Sequence, residues 1–410
     1  MTDTQDQTIA VPGSDDPRAR VELPASRHRW WSIPMVVIAF AACTAVGAAG
    51  LLPAALVADE VNERIDKIQP TPYARVPSSA QPVDERVTFG ELEGLATQYP
   101  PSGSFYFVTI TEPSQSVLSW IIGRDEPAVE FLTEEEKFGF QTPQQRRAFG
   151  LESMRTSAQV AQYVALKAVG YDVTIVPGDV LIDSMVCLVR SEDGTQCVES
   201  SPSDEVLDPG DRLLAVDGAP LGNVADLSAA LDDKEPGDLV EIMLERPEVG
   251  PLTVTVELTS SPDEPERTIV GFLPFDTQRV ELPFELDSNT GEIGGPSAGL
   301  AFTLALIDEL TPGELTGGQN IAVTGRIELD GSVGAIGGLR QKASAVAQAG
   351  VDVLIVPESQ GEADIERARR AGGDGLRIIP VATVDEALAV LEELGGAPID
   401  AVAIATNEQP

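Results

Sequence analysis

Ser297 and Lys342 are the two side chains of this sequence whose type and setting suit covalent chemistry. Ser297 stands in Gly294-Gly295-Pro296-Ser297-Ala298-Gly299, directly ahead of the apolar run Leu300 to Leu310. Lys342 closes Gly337-Gly338-Leu339-Arg340-Gln341-Lys342, 45 residues later, ahead of a second helical run, Ala343 to Ala349. Both lie where a glycine-rich turn becomes a helix. A serine hydroxyl needs a base to act as a nucleophile. The chain holds one histidine, His28, near its beginning. No Ser-His-Asp triad and no histidine-ligated zinc can therefore be built beyond that point. A desolvated lysine is the usual substitute. Lysine is scarce, with five residues against 22 arginines, and Lys342 is the only one after Lys234. Arginine stays protonated at any working pH, whereas lysine can be neutralised by its surroundings.

The helix starts supply the electrostatics. The positive end of a helix dipole disfavours an ammonium in the first turn, and Arg340 should push the same way. For Lys342 to serve as a base, the dipole, Arg340 and burial must together bring its pKa to about 7 to 9. At Ser297 the same field and the first-turn N–H groups offer an oxyanion site. Read locally, the serine is more simply an N-cap before a core helix. About one basic position in five is lysine here, so one lysine beside a Gly-Gly turn does not by itself define a base.

Three motifs in order change that balance. Gly295-Pro296-Ser297-Ala298-Gly299, then Val323-Thr324-Gly325-Arg326-Ile327, then Gly334-Ala335-Ile336-Gly337-Gly338-Leu339-Arg340-Gln341-Lys342 resemble the proteolytic domain of Lon-type Ser-Lys peptidases. The resemblance covers roughly Thr268 to Leu394. It implies Ser297 as nucleophile and Lys342 as base. Thr324 is expected near the lysine, with Gly295 and Ala298 as supporting positions. It also implies polypeptide substrates, no metal or other cofactor, and a homo-oligomeric ring. Two departures stand out: Gly294 where the family often has Asp, and a slightly long Leu310–Gln319 connection. No G-x-x-x-x-G-K-[ST] signature occurs, so no ATP-driven unfoldase is expected within this chain, unlike Lon proper.

The elements that must position these residues follow from the rest of the chain. A length of 410 residues allows several domains, and a hydrophobic content of 42% fits a globular protein. Net charge is −39, nearly all of it beyond residue 58, which sets nucleic-acid binding aside. Residues 1–29 are polar and read as a disordered cytoplasmic tail. Ile33 to Val57 carries no charge and is long enough to span a bilayer. Arg18, Arg20, Arg27, Arg29 and Trp30-Trp31 precede it and Asp59-Glu60 follow, which predicts a single-pass cell-membrane anchor over 30–58 with the C-terminal domains extracytoplasmic. A cleaved signal peptide is the rival reading. Val61 to Lys67 reads as a short helix, and 59–86, with Pro70, Pro72, Pro77 and Pro82, as an extended stalk. An α+β segment, 87–170, follows. In it Phe105 to Ile110 and Val117 to Ile122 read as strands and Arg146 to Val169 as a helix.

A β-rich unit spans 171–259. Leu207-Asp208-Pro209-Gly210 opens a turn into a strand, and Asp217-Gly218 closes the next turn. Helix Val224 to Leu231 and strand Leu239 to Glu245 follow. That order resembles a PDZ domain, whose groove takes a peptide by β-augmentation, although no carboxylate-binding loop is legible. Val176 to Ser203 looks like an insertion. Its Cys187 and Cys197 are centred on Glu192, with Asp193-Gly194 supplying a turn, so a disulfide across two hairpin arms can form. Free thiols are the alternative. Residues 260–266 read as a linker, 267–394 as the α/β Lon-type peptidase domain, and 395–410 as a loosely held tail. Anchor, PDZ-like module and peptidase together resemble the bacterial membrane-anchored PDZ-containing Lon-like peptidases, the YlbL-type group. That resemblance implies an ATP-independent endopeptidase acting on unfolded or membrane-proximal extracytoplasmic proteins. A catalytically silent membrane scaffold or holdase and a mainly self-processing peptidase are the alternatives.

Overall fold

The computed structural model describes residues 37, 40, 44, 47–62, 67–92, 94–138, 142–190, 197–246, 249–262 and 264–399. The chain divides into two units, Met1–Leu51 and Leu52–Pro410. In the first, positions 37, 40, 44 and 47–50 are helical. The tail expected over 1–29 and most of the anchor expected over 30–58 lie outside the described residues. Among the described residues, no helix is long and apolar enough to cross a membrane.

The second unit starts earlier than the anchor was expected to end. Pro53 lacks a donor N–H, and the chain leaves it as a 3-10 turn, Ala54–Leu56. Ala54 and Ala58 are fully buried. Ala58 O accepts from Thr71 N at 3.0 Å. Of the short helix expected at Val61 to Lys67, residues 63–66 lie outside the described residues, and the described ends belong to a two-stranded ribbon, Asp59–Asn62 with Lys67–Pro70. The expected stalk is not one either. Tyr73–Pro82 forms strand β1, and its prolines are tolerated because Pro77 falls at a register irregularity and Pro82 ends the strand. Strand β2, Ser104–Thr111, pairs antiparallel with β1. Val117 to Ile122, expected as a strand, is helix α1, Val117–Gly123. A capping box overrides its β propensity: Ser119 N donates to Ser116 Oγ at 3.2 Å and Ser116 N to Ser119 Oγ at 2.8 Å. Strand β3, Glu130–Leu132, joins the far edge of β1. Helix α2, Pro143–Ala168, starts from a second capping box at Thr142.

The β-rich unit is one antiparallel sheet. Strand β4 (Thr174–Met185) precedes the hairpin β5 (Cys187–Arg190) and β6 (Cys197–Ser200), which a Cys187–Cys197 disulfide bridges with a Cα separation of 5.6 Å. Strand β7 (Arg212–Val216), helix α3 (Val224–Leu231), strand β8 (Leu239–Arg246), strand β9 (Gly250–Glu257) and strand β10 (Phe272–Glu281) complete it. The sheet order is β9-β8-β7-β4-β10. Strand β10 was expected in the peptidase domain. It pairs with β4, so the boundary drawn at residue 267 cuts through a sheet. The linker expected at 260–266 is bracketed by a short pair, Thr259–Ser260 with Thr268–Ile269.

Helix α4 (Gly299–Leu310) follows with every residue buried. It is apolar apart from Thr303 and, in its last turn, Asp308 and Glu309, which accept from Leu315 N at 2.7 Å and Gln98 Nε2 at 2.7 Å. Strands β11 (Asn320–Val323), β12 (Arg326–Ile327) and β13 (Val333–Gly334), helix α5 (Leu339–Gln348), strand β14 (Val353–Pro357), helix α6 (Glu362–Gly372), strand β15 (Arg377–Val381) and helix α7 (Val384–Glu393) finish the chain. The α/β sheet runs β15-β14-β11-β2-β1-β3, parallel from β15 to β2. Half of it comes from residues 73–132. One core joins Phe105, Phe107 and Met154 to Phe302, Ile321 and Leu391. The tail also begins tied down, with Ala397 N donating to Glu314 O at 2.8 Å.

Candidate active site

The turn before α4 carries Ser297. Gly295 takes φ 89°, ψ 147°, a conformation that disfavours any side chain, and turns the chain into the 3-10 segment Pro296–Ala298. Helix α2 holds this turn from behind. Gly295 N donates to Gly150 O at 2.7 Å and Ser157 Oγ to Pro296 O at 2.9 Å. Close packing continues one residue on. A Cβ on Gly299 would meet Ser157 Oγ at 2.6 Å and Ile327 Cγ2 at 2.7 Å.

Helix α5 carries Lys342 in its first turns, after Gly338 in the left-handed region. Leu339, Ala343 and Val346 pack it on Val108, Ala322 and Leu354 of the sheet. The lysine points inward and is 2% exposed. Its Nζ lies 2.6 Å from Ser297 Oγ and 2.9 Å from Thr324 Oγ1, donating to both. Thr324 follows β11 at the carboxyl end of the parallel strands and is fully buried. Its hydroxyl donates to Ser297 O at 3.1 Å, and Gly325 N donates to the same carbonyl at 2.9 Å. Three residues from three separate motifs thus close into one network.

Burial pushes the Lys342 pKa down from 10.5 to about 7. The sequence assigned part of that shift to Arg340. In the structure the Arg340 guanidinium meets Glu130 Oε1 at 3.4 Å, and desolvation of the lysine is the cause that remains. Ser297 is half-buried and opens on a groove of about 780 Å³ lined by Arg75, Ser79, Thr109, Gly294 and Ile336. Strand β1 and strand β2 form one wall of it. Sequence reasoning found no functional constellation in residues 87–170, yet β2 and α2 wall and buttress the site. The one local signal was Gly150, a glycine inside an otherwise helical stretch. A larger cleft of about 1190 Å³ lies beside the disulfide hairpin and contains neither Ser297 nor Lys342. Among the described residues, no group of three or more His, Cys, Asp or Glu side chains is arranged to hold a metal.

A hydroxyl and a buried amine in contact, beside the carboxyl ends of the parallel strands, form an arrangement in which a neutral amine can accept the hydroxyl proton. Residues 289–393 match the Lon protease (S16) C-terminal proteolytic domain. The Lon protease of Trichlorobacter lovleyi is 40% identical over 111 residues, 27% of this chain and 13% of that protein. The Lon protease of Neorickettsia sennetsu is 38% identical over 94 residues, 23% of this chain and 11% of that protein. The archaeal Lon protease of Methanocaldococcus jannaschii is 34% identical over 125 residues, 30% and 18% of the two chains. The alignments thus span between about a tenth and a fifth of these relatives' lengths. Among solved structures, the PDZ domain of an SdrC-like protein from Listeria monocytogenes shares 18% identity over 22% of this chain and 85% of its own, with a TM-score of 0.17. The corresponding domain from Listeria innocua gives 20% identity, 22% and 93% coverage, and a TM-score of 0.16.

Proposed function

We propose that this chain is a membrane-anchored serine endopeptidase in which Ser297 is the nucleophile and Lys342 its general base. The observation that carries the reading is the 2.6 Å contact between Ser297 Oγ and the Nζ of a lysine that is 2% exposed. In the neutral amine the Ser297 O–H donates to the Nζ lone pair. Thr324 sets that orientation. Its hydroxyl hydrogen is committed to Ser297 O, so its lone pairs accept from Nζ–H and turn the amine's own lone pair toward Ser297. Ser297 Oγ attacks the scissile carbonyl carbon while its proton passes to Nζ. The Ser297 and Ala298 amides at the head of α4 would receive the oxyanion. The resulting ammonium returns the proton to the leaving amine, and Nζ then deprotonates the water that hydrolyses the acyl-enzyme. None of these steps needs a metal or a nucleotide.

Substrates that suit this geometry are extended polypeptides, because the groove is walled by the β1–β2 hairpin rather than closed over. The PDZ-like sheet offers a second recognition element. Strand β10 is an edge strand, and its Phe272 lines a pocket of about 330 Å³ together with Leu227 and Leu231 of α3 and Thr268 and Ile269. An edge strand beside an apolar pocket suits β-augmentation by unfolded chains. The uncharged run Ile33 to Val57 and the arginines before it support an anchor with the folded unit on the extracytoplasmic side, where the Cys187–Cys197 bridge is stable. Assembly as a homo-oligomeric ring belongs to the same proposal. Cleavage of an unfolded protein by the intact chain is the test. Ser297→Ala and Lys342→Arg should each abolish it with circular dichroism unchanged. Full activity in Lys342→Arg, which keeps charge but loses the lone pair, would overturn the assignment.

A further inference from the structure

Helix α1 has the sequence VLSWIIG and buries none of its residues. Leu118, Ile121 and Ile122 share one face by their i, i+3, i+4 spacing. Beside them lies the 3-10 turn Ala54–Leu56. The two segments are laced by Ala54 N donating to Gln115 O and Val117 N to Leu52 O, both at 2.9 Å. Leu52, Leu56, Val57, Leu118, Ile121 and Ile122 stand 47–67% exposed. Large aliphatic side chains grouped this way mark an interaction surface.

The order of the chain points to what covers it. Ile33 to Val57 carries no charged residue, and the last six residues of that run, Leu52 to Val57, are already part of the patch. No spacer separates the lipid-compatible run from the exposed aliphatic face. Trp120 is half-buried at the edge of that face with the Arg124 guanidinium 5.9 Å from its ring, the pairing of amphipathic aromatic and cation common at a membrane boundary. We propose that α1 and the turn Ala54–Leu56 form a lipid-contact face that lies in the headgroup layer of a bilayer. The choice of lipid rests on the anchored reading above. Because the chain is strongly acidic, the contact is apolar in origin and needs no anionic lipid. Such a face holds the folded unit at the membrane by its own side chains and favours substrates that emerge close to the surface.

Trp120 reports on the contact. The sequence has three tryptophans, so Trp30→Phe and Trp31→Phe in the full chain leave Trp120 as the sole tryptophan, read by excitation at the red edge where tyrosine does not absorb. With phosphatidylcholine vesicles, lipids brominated on the acyl chain should quench Trp120 by about twofold or more, and aqueous iodide should quench it less than in their absence. Leu118→Asp with Ile122→Asp should reverse both effects while co-sedimentation with vesicles persists through the uncharged run. Co-sedimentation with Trp120 open to iodide and untouched by bromolipid overturns the lipid-contact face and leaves the anchored reading standing. Failure of the full chain to co-sediment overturns both. Shielding from both quenchers with a doubled mass by light scattering assigns the patch to a second copy of the chain and also overturns the proposal.

Discussion

Lys342 is the residue on which the chemistry turns, and its titration should be visible in the rate. With a folded pKa of about 7, kcat/KM should rise with pH through that value along one ionisation. No histidine limb is expected, since His28 is the only one. The same shift makes a stability statement. Between about 7 and 10.5 the unfolded chain binds a proton that the native state does not, so this residue's contribution to stability grows as pH rises through that window. Below it the destabilisation is complete. Lys342→Met should therefore be inactive and melt higher than the parent at pH 6, with the advantage shrinking toward pH 10. An inactive variant that melts lower at pH 6 would make the lysine a structural partner of Thr324 and Ser297.

Two glycines of neighbouring helices separate backbone freedom from close packing. A Cβ on Gly150 would meet Gly294 Cα at 3.6 Å, an ordinary contact. Gly150→Ala should consequently stabilise α2 by about 0.5–1 kcal/mol with activity retained. On Gly299 a Cβ would fall 2.7 Å from Ile327 Cγ2 and 3.1 Å from Ile327 N. Gly299→Ala should cost about 1–3 kcal/mol and lower kcat more than it raises KM, because relief of the overlap moves Ser297. Urea denaturation and steady-state kinetics on the pair test the contrast. The β5–β6 hairpin carries its own expectation. Closing so short a loop contributes about 2–3 kcal/mol by chain entropy, so reductant should lower the melting temperature of the folded unit while the Ser297–Lys342 contact, on other elements, survives. An unchanged melting temperature on full reduction would remove that contribution.

At the scale of the molecule, the stretch that matches the Lon proteolytic domain is not a free-standing half. Strand β11 pairs with β2, and Leu286–Ser288 pairs with Val87–Phe89. Helix α4 is buried against residues contributed by α2. A fragment comprising residues 267–410 should fail to give a cooperative thermal transition, whereas residues 52–410 should unfold in a single one. A sharp transition in the short fragment would contradict the shared core.

Local chemistry reached far in the C-terminal part of this sequence. The lack of downstream histidine, the Gly-Pro-Ser turn and the lone lysine after Lys234 pointed toward Ser297 and Lys342, but it was the resemblance of three ordered motifs to the Lon-type proteolytic domain that favoured a catalytic pair over an N-cap serine. The apolar run Leu300 to Leu310 placed α4 within a residue, whereas α5, read as Ala343 to Ala349, starts four residues earlier at Leu339, because the polar stretch Arg340 to Lys342 in its first turn carries no apolar period. The capping box at Ser116 was written in the sequence too, but β-branched content outweighed it until hydrogen bonds could be seen. What no local pattern carries is pairing between distant strands. A proline-rich stretch becomes β1 only because β2 and β3 flank it, and β10 joins β4 rather than the sheet that follows it in sequence. The depressed pKa of Lys342 likewise depends on burial contributed by the α5–sheet contact, a property of packing that a one-dimensional reading could anticipate and only the tertiary structure could decide.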